Sequence, residues 1–441
     1  MDETTTPAGT PPAFREALRF WLKLGFISFG GPTGQIAIMH EEVVERRKWI
    51  GESHFLHALN YCMLLPGPEA QQLAIYIGWL LHGTLGGIAA GALFVLPSVF
   101  ILWTLSYVYV AYGSVGWVAS IFYGLKPAVI AIVAHAVWRI GRRTLKTPLM
   151  WCISAASFVA IFFLQAPFPL IIVSAGIFGL VLQGTRWKRA VLSAGSGHSA
   201  RASRAPQDDE PILPPRPRPT PLRAFKVLAV CLLLWGTPIL AAGITLGWHH
   251  SVTTEGVFFS KAAMVTFGGA YAVLPYVAQQ TVERYEWLST PQMLDGLGLA
   301  ETTPGPLIMV VQFVGFLGGW NQPGSLPPLY AATLGALLTT WVTFVPCFLW
   351  IFLGAPYVET MRKSERLTAA LNAISAAVVG VVLNLAVWFA GSVLAPAPGQ
   401  VDVFAALVSI ASFAVLTLTR FGVVTVIACA GLAGLGWRFI G

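Results

Sequence analysis

Long apolar stretches separated by short polar segments run through the whole chain. They lie near 14–39, 55–82, 85–112, 115–138, 148–165 and 168–185, and then near 224–248, 255–282, 291–320, 326–353, 367–392, 400–419 and 421–438. About 20 apolar residues in a helix are enough to cross the hydrocarbon core of a bilayer. The pattern therefore predicts an all-α polytopic membrane protein with thirteen candidate spans.

One polar segment, 193–222, divides these blocks into six and seven. It is rich in proline and arginine and has too few apolar residues to form a core, so we expect a cytoplasmic linker. Residues 1–12 are acidic and contain proline, without the basic-then-apolar order of a cleavable signal, and predict a disordered tail. The domains are then a first repeat at 13–192 and a second repeat at 223–441, which carries one extra span.

The two halves are copies of one another. A gapless shift of 238 positions gives thirteen identities within 46 positions, clustered in the segments FGG, VER..W and PGP. The first block of one copy corresponds to the eighth block of the chain, so the shift is seven blocks. An odd shift inverts the second copy in the membrane, which is a common plan of secondary transporters.

The positive-inside rule agrees with this orientation for most loops. With the linker in the cytoplasm, the C-terminus lies outside, and the basic residues that fall inside are Arg139, Arg142, Arg143, Lys146, Arg362, Lys363, Arg366 and Arg420. The segment Arg46-Arg47-Lys48 disagrees, because thirteen spans place it outside. A re-entrant first or second block therefore stays open as an alternative.

Four blocks contain helix-breaking residues at matched places. The breaks are formed by Gly30 and Gly31, by Pro66, Gly67 and Pro68, by Gly268 and Gly269, and by Pro304, Gly305 and Pro306. Proline removes a helical N–H group and glycine adds backbone freedom, so the chain should unwind there. A single break could simply kink a helix for packing, but matched breaks in two halves point to a transport site. Gly67→Leu should then abolish transport while folding largely survives.

The half-helices that follow the breaks offer N–H groups and a positive dipole end, which suit an anion. Thr33, Gln35, Gln71 and Gln72 add neutral donors near these helix starts, and Lys23 and Lys261 occupy matching places before the FGG breaks. Lys23 also continues a basic stripe with Arg15 and Arg19, which an interfacial amphipathic helix explains equally well.

Two carboxylates lie beside the breaks. Glu69 follows Pro68 directly, and Glu301 comes three residues before Pro304. Acidic residues inside apolar blocks are costly, and we interpret these two as proton-coupling groups. A carboxylate at the start of a half-helix could instead cap it, so both readings stay open for Glu69.

Composition narrows the class of protein. The chain is 56% hydrophobic and 10% charged, with a mean hydropathy of +0.70, which excludes a soluble enzyme. The net charge of +8 lies mostly between apolar blocks and indicates no nucleic-acid partner. Five cysteines occur singly, so we expect neither a disulfide framework nor a metal site. Hydrolase and nucleotide-binding motifs are absent from the sequence, and no catalytic residue or cofactor is predicted.

The motifs resemble those of the chromate ion transporter family. The resemblance is carried by FxSFGGPxGQIAxMHxExVExRxWI from Phe26 to Ile50, by PGPEAQQ, and by the second-half segments MVTFGGAYAVLPYVAQQ and ETTPGPL. It implies a fused two-domain protein of the inner (plasma) membrane that exports chromate from the cytoplasm by means of the proton gradient. Sulfate, a similar tetrahedral dianion, is the expected competitor.

Other functions stay open at this stage. An oxyanion importer and a passive anion channel are compatible with the same motifs, and a membrane-embedded enzyme fits least well. The partners are the transported anion and the lipid bilayer. The oligomeric state is open, with a homodimer among the alternatives.

Overall fold

The computed structural model describes residues 12–29, 31–183, 191, 220–357, 365–397 and 399–440. Within these ranges there are sixteen α-helices and no strand: α1 Phe14–Ile27, α2 Gly31–His40, α3 Glu52–Cys62, α4 Glu69–Tyr112, α5 Gly116–Thr144, α6 Pro148–Phe162, α7 Phe168–Gln183, α8 Pro221–Thr245, α9 Ser251–Met264, α10 Ala270–Gln279, α11 Thr290–Thr302, α12 Val310–Asn321, α13 Pro328–Gly354, α14 Glu365–Leu394, α15 Val403–Leu418 and α16 Val423–Ile440. Five of them, α4, α5, α8, α13 and α14, are long and apolar enough to cross a membrane. The all-α polytopic prediction is confirmed.

Several predicted features lie outside the described residues. They are nearly all of the 1–12 tail, the linker up to residue 219, Gly30, Arg362 and Lys363. The end of the linker is described, and α8 already begins there, at Pro221. Thr220 caps this helix by accepting a hydrogen bond from the Arg223 N–H group.

The order of helices in the first half recurs in the second. Helices α1, α2 and α3 correspond under the 238-residue shift to α9, α10 and α11, and each α2-type helix continues into a π-helical turn, Glu41–Arg46 or Gln280–Arg284. The helix α4 has two arms, 69–81 and 84–112, because His82 and Gly83 leave helical geometry between them. Their counterparts are α12 and α13, and α8 has no counterpart.

The first apolar block does not form one continuous span. The helices α1 and α2 are separated at the Gly-Gly break, and the chain after α2 returns to the level at which α1 began. Arg47 Nη1 lies 3.2 Å from Glu16 Oε1, and the rings of Phe20 and Trp49 are 5.2 Å apart. The two helices therefore form a hairpin whose tip is the break.

The matching block of the second half folds in the same way. Ser251 at the start of α9 donates a hydrogen bond of 2.7 Å to the Gln322 carbonyl oxygen, and Phe258 packs against Trp287, with ring centroids 5.8 Å apart. Asn321 Nδ2 donates to the carbonyl oxygen of the same Trp287. The start of α9, the segment after α10 and the end of α12 thus lie at one level, and the hairpin tip again holds the break.

The long helices α4 and α13 cross the centre of the molecule side by side and antiparallel. A Cβ at Gly87 would lie 2.7 Å from the Phe352 ring, and Trp103 Nε1 donates a hydrogen bond of 3.2 Å to Thr333 Oγ1. Residues later in α4 therefore contact residues earlier in α13, so the two helices run in opposite directions.

The last two helices of each repeat pack against the other repeat. The helix α16 packs on α5 so closely that a Cβ at Gly124 would lie 2.8 Å from the Gly434 nitrogen. Reciprocally, a Cβ at Gly380 of α14 would lie 2.9 Å from the Phe158 nitrogen of α6, and one at Gly179 of α7 would lie 2.9 Å from the Ala370 Cα. The two repeats are interlocked rather than placed side by side.

Candidate functional site

The two Pro-Gly-Pro breaks are tied to the partner repeat by a reciprocal pair of backbone hydrogen bonds. The Gly67 N–H group donates to the Thr266 carbonyl oxygen at 2.7 Å, and the Gly305 N–H group donates to the Ser28 carbonyl oxygen at 2.8 Å. The shift of 238 positions converts one bond into the other. Each hairpin tip of one repeat therefore touches a hairpin tip of the other, and we call this region the crossing.

Glycine is required at the centre of both Pro-Gly-Pro segments. Gly67 has φ of 125° and Gly305 has φ of 108°, a region that side-chain-bearing residues rarely adopt. A Cβ at Gly67 would lie 2.8 Å from Gln72 Nε2 and 2.9 Å from Cys347 Sγ, and one at Gly305 would overlap Ser98 Oγ. Both the backbone conformation and the surrounding atoms exclude a larger residue.

Buried amide side chains hold the broken backbone. Gln35 Nε2 donates to the carbonyl oxygens of Gly305 (2.5 Å) and Ser28 (3.3 Å), and Gln72 Nε2 donates to that of Pro66 (2.8 Å). The sequence predicted these amides as donors to the anion, whereas here they donate to the backbone of the breaks. The Oε1 atoms of Gln35, Gln71 and Gln72 are buried and have no hydrogen-bond partner among the described residues.

Helix starts surround the crossing. The helices α2, α4 and α10 and the 3₁₀ turn before α12 all begin at a break, and α4 and α10 begin without a side-chain hydrogen bond at the cap. The first N–H groups of a helix have no partner within the helix and carry a partial positive charge. The crossing therefore brings together positive dipole ends from both repeats.

Each of the two candidate carboxylates contacts a residue at the start of α10. A Cβ at Gly269 would lie 3.6 Å from Glu69 Oε1, so the first-repeat carboxylate faces the second-repeat break. Glu301 Oε1 accepts a hydrogen bond from the hydroxyl group of Tyr271, two residues further along.

The predicted site residues divide into a buried and an exposed group. The buried group comprises Gly31, Gln35, Pro66, Gly67, Pro68, Gln71, Gln72, Gly269, Glu301, Pro304, Gly305 and Pro306, and Glu69 is half-buried. Lys23, Thr33, Lys261 and Gly268 are exposed. The lysines therefore take no part in the buried contacts of the crossing.

Several residues of the crossing were missed by sequence reasoning. Ser28 and Thr266 correspond under the repeat shift but differ in identity, so an identity search passes over them. Ser98, which donates to the Pro304 carbonyl oxygen at 2.5 Å, lies in the long apolar helix α4, and Tyr271 lies in the short helix α10; nothing in the sequence pattern marks either residue. Across the described residues, no cluster of three metal-ligating side chains occurs.

Comparison with known proteins places the chain in a family. The family model for chromate transporters matches residues 15–180 and 255–435, one region in each repeat. The chain is 30% identical over 441 residues to a chromate transport protein of Cupriavidus metallidurans, covering 98% of this chain and 96% of that protein.

Further relatives cover nearly the same length. They include a chromate transport protein of Pseudomonas aeruginosa (29% identical, 98% of this chain and 94% of the relative) and a probable chromate transport protein of Synechococcus elongatus (28%, 85% and 85%). No solved structure matches the chain significantly. The family match in both repeats, together with relatives aligned over almost the full length, shows that the chain is a membrane protein of the chromate transporter family.

Proposed function

We propose that the protein is a secondary transporter of the inner (plasma) membrane that exports chromate from the cytoplasm, with sulfate as a competitor. The crossing carries this proposal: two matched pairs of broken helices meet there, and helices of both repeats begin at these breaks. Unwound backbone at membrane depth is tolerated when it is packed in protein or lines a cavity, and both Pro-Gly-Pro segments are buried. The chemistry suits a tetrahedral dianion, which can accept hydrogen bonds on all its oxygens.

Export is the direction that the membrane potential favours. Moving one charge through 100 mV is worth roughly 2.3 kcal/mol, so a dianion leaving an inside-negative cell gains about twice that amount. Uptake of the same ion would require cotransported cations. The relatives named for chromate transport support the choice of anion.

A carrier fits the crossing better than a passive channel does. The bonds from Gly67 to Thr266 and from Gly305 to Ser28 close the hairpin tips against each other. An anion can pass only if these contacts open, and the repeat symmetry provides two equivalent ways to open them. Such alternation between repeats is the ordinary mechanism of this class of transporter.

For the topology we propose nine membrane-spanning segments and four re-entrant hairpins, which are α1 with α2, α3 with the first arm of α4, α9 with α10, and α11 with α12. The membrane-spanning segments are the second arm of α4 and the helices α5, α6, α7, α8, α13, α14, α15 and α16. Each hairpin starts and ends on one side of the membrane. The number of membrane-spanning segments therefore stays odd, and the second repeat stays inverted. Arg46, Arg47 and Lys48 then fall on the cytoplasmic side, which removes the one disagreement with the positive-inside rule.

Cysteine accessibility tests this topology. Lys48 and Glu286 correspond under the 238-residue shift, and both are exposed. In a background lacking the native cysteines, Lys48→Cys should react with a membrane-impermeant thiol reagent only from the cytoplasmic side, and Glu286→Cys only from outside. A Lys48→Cys variant labelled from outside would restore the thirteen-span version, and labelling of both positions from the same side would refute inversion.

Counterflow in proteoliposomes tests the function. Vesicles loaded with unlabelled chromate should accumulate labelled chromate in exchange, sulfate should compete, and empty vesicles should show little uptake. Flux that is independent of anion on the opposite side would indicate a channel. Chemical change of any substrate by the purified protein would favour the enzyme alternative.

A further inference from the structure

A buried carboxylate far from the crossing has no part in the proposed transport site. Glu255, in the second turn of α9, is 0% exposed, and neither carboxylate oxygen has a hydrogen-bond partner among the described residues. It lies eleven residues before Thr266, which is about 16 Å along a helix at 1.5 Å per residue. The corresponding residue of the first repeat is Ala17, so only one half carries this group.

Glycines of two neighbouring helices make room for the carboxyl group. A Cβ at Gly335 of α13 would lie 2.5 Å from Glu255 Oε2, and one at Gly318 of α12 would overlap Oε1. A Cβ at Gly318 would also lie 3.1 Å from the indole of Trp287. The carboxyl group is therefore packed where α9, α12 and α13 meet, against backbone and an aromatic ring.

No counter-charge is paired with this carboxyl group among the described residues. The helix α12 contains no titratable side chain. The other packed elements carry His250 and Lys261 at the two ends of α9, Tyr330 and Cys347 on α13, and Glu283, Arg284, Tyr285 and Glu286 before α11. None of these forms an ion pair or a hydrogen bond with Glu255.

We propose that Glu255 is a proton-binding site separate from the crossing, and that its protonation holds α9 and α12 packed on α13. The carboxylate takes up one proton and becomes a neutral acid, which this dry contact tolerates. Loss of the proton leaves an unpartnered charge there, which is strongly unfavourable unless water enters. Deprotonation therefore favours separation of the second-repeat hairpins from α13.

Infrared difference spectroscopy tests the protonation directly. Subtracting the spectrum of Glu255→Gln from that of the wild-type protein, both in lipid nanodiscs at neutral pH, should leave one band of a protonated carboxyl group. Glu286→Gln, which alters an exposed carboxylate nearby, should leave only a carboxylate band. If the Glu255 difference shows a carboxylate band at neutral pH, the proposal is wrong.

Thermal unfolding tests the consequence for packing. The unfolding midpoint of the wild type should fall by about 2–4 °C between mildly acidic and alkaline pH relative to Glu255→Gln, whose amide cannot ionise. Parallel pH curves for the two proteins would overturn the packing role, and a midpoint that follows sodium concentration instead of pH would show a cation site. Both measurements are independent of chromate transport, so they stand even if the crossing is not the transport site.

Discussion

Gly67→Ala should reduce chromate counterflow about 10- to 100-fold per folded molecule. Loss of a buried hydrogen bond costs roughly 1–3 kcal/mol, and every 1.4 kcal/mol corresponds to a factor of ten. The methyl group would press on Gln72 and Cys347 and so disturb the bond from Gly67 to Thr266. Gly305→Ala should have a similar effect through Ser98, because the two bonds are equivalent.

Gly83→Ala is the matched control. Gly83 has a positive φ of 64°, but a Cβ there would have no atom within 4 Å. Its backbone is also restricted to glycine, so the substitution should cost a similar amount of stability but leave the flux per folded molecule within about twofold of wild type. Equal losses in Gly83→Ala and Gly67→Ala would show that backbone strain alone is responsible and that the crossing has no special role. Leu at position 67 is a poorer test, since its side chain would overlap buried neighbours and impair folding, contrary to the expectation from the sequence.

Glu69→Gln should remove most of the pH dependence of anion binding. In the wild type, the charged carboxylate repels a dianion at the crossing, so protonation and anion occupancy favour one another and affinity rises as pH falls. The amide mimics the protonated form, and its affinity should stay high up to alkaline pH. Binding of chromate, measured across pH by isothermal titration, gives the comparison, with Glu301→Gln expected to show a smaller change of the same sign.

Tyr271→Phe tests whether the pH dependence of anion binding comes from Glu69 or from the hydrogen bond at Glu301. It removes the hydrogen bond to Glu301 but leaves Glu69 untouched, so the large pH effect should persist. If Glu69→Gln keeps the wild-type pH dependence and flux, Glu69 has only a structural role at the start of α4. Because the linkage is positive, proton and anion should leave together, so the membrane potential, and not the inward proton gradient that the family resemblance implies, would drive export.

The sequence predicted the helical class, the duplication and the positions of the breaks, because Pro and Gly act locally on the backbone. It left a re-entrant block open only as an alternative to thirteen spans. An apolar block such as 14–39 has the same hydropathy whether it crosses the membrane or turns back, and the turn is decided by distant contacts such as Arg47 with Glu16. The Arg46-Arg47-Lys48 segment was the one local sign of it.

The polar residues of the site could be predicted from the sequence, but their hydrogen-bond partners could not, because these depend on distant contacts. Gln35 and Gln72 stand out as polar residues in apolar helices, but only the fold shows that their amides donate to carbonyl oxygens of the breaks. Glu255 stands in an apolar block as Glu69 does, yet no neighbouring motif marks it. Its setting depends on Gly318 and Gly335, which lie more than sixty residues away.

Because the last helices of each repeat pack on the other repeat, synthesis and folding must follow a certain order. The face of α5 around Gly124 receives α16, which leaves the ribosome about 300 residues later. Until then, α16 does not cover the face of α5 around Gly124, and that face is open to lipid or to a chaperone. Translation must therefore be nearly complete before either half can close, and a chain stopped within the last helix would be a substrate for membrane proteases rather than a half-working carrier.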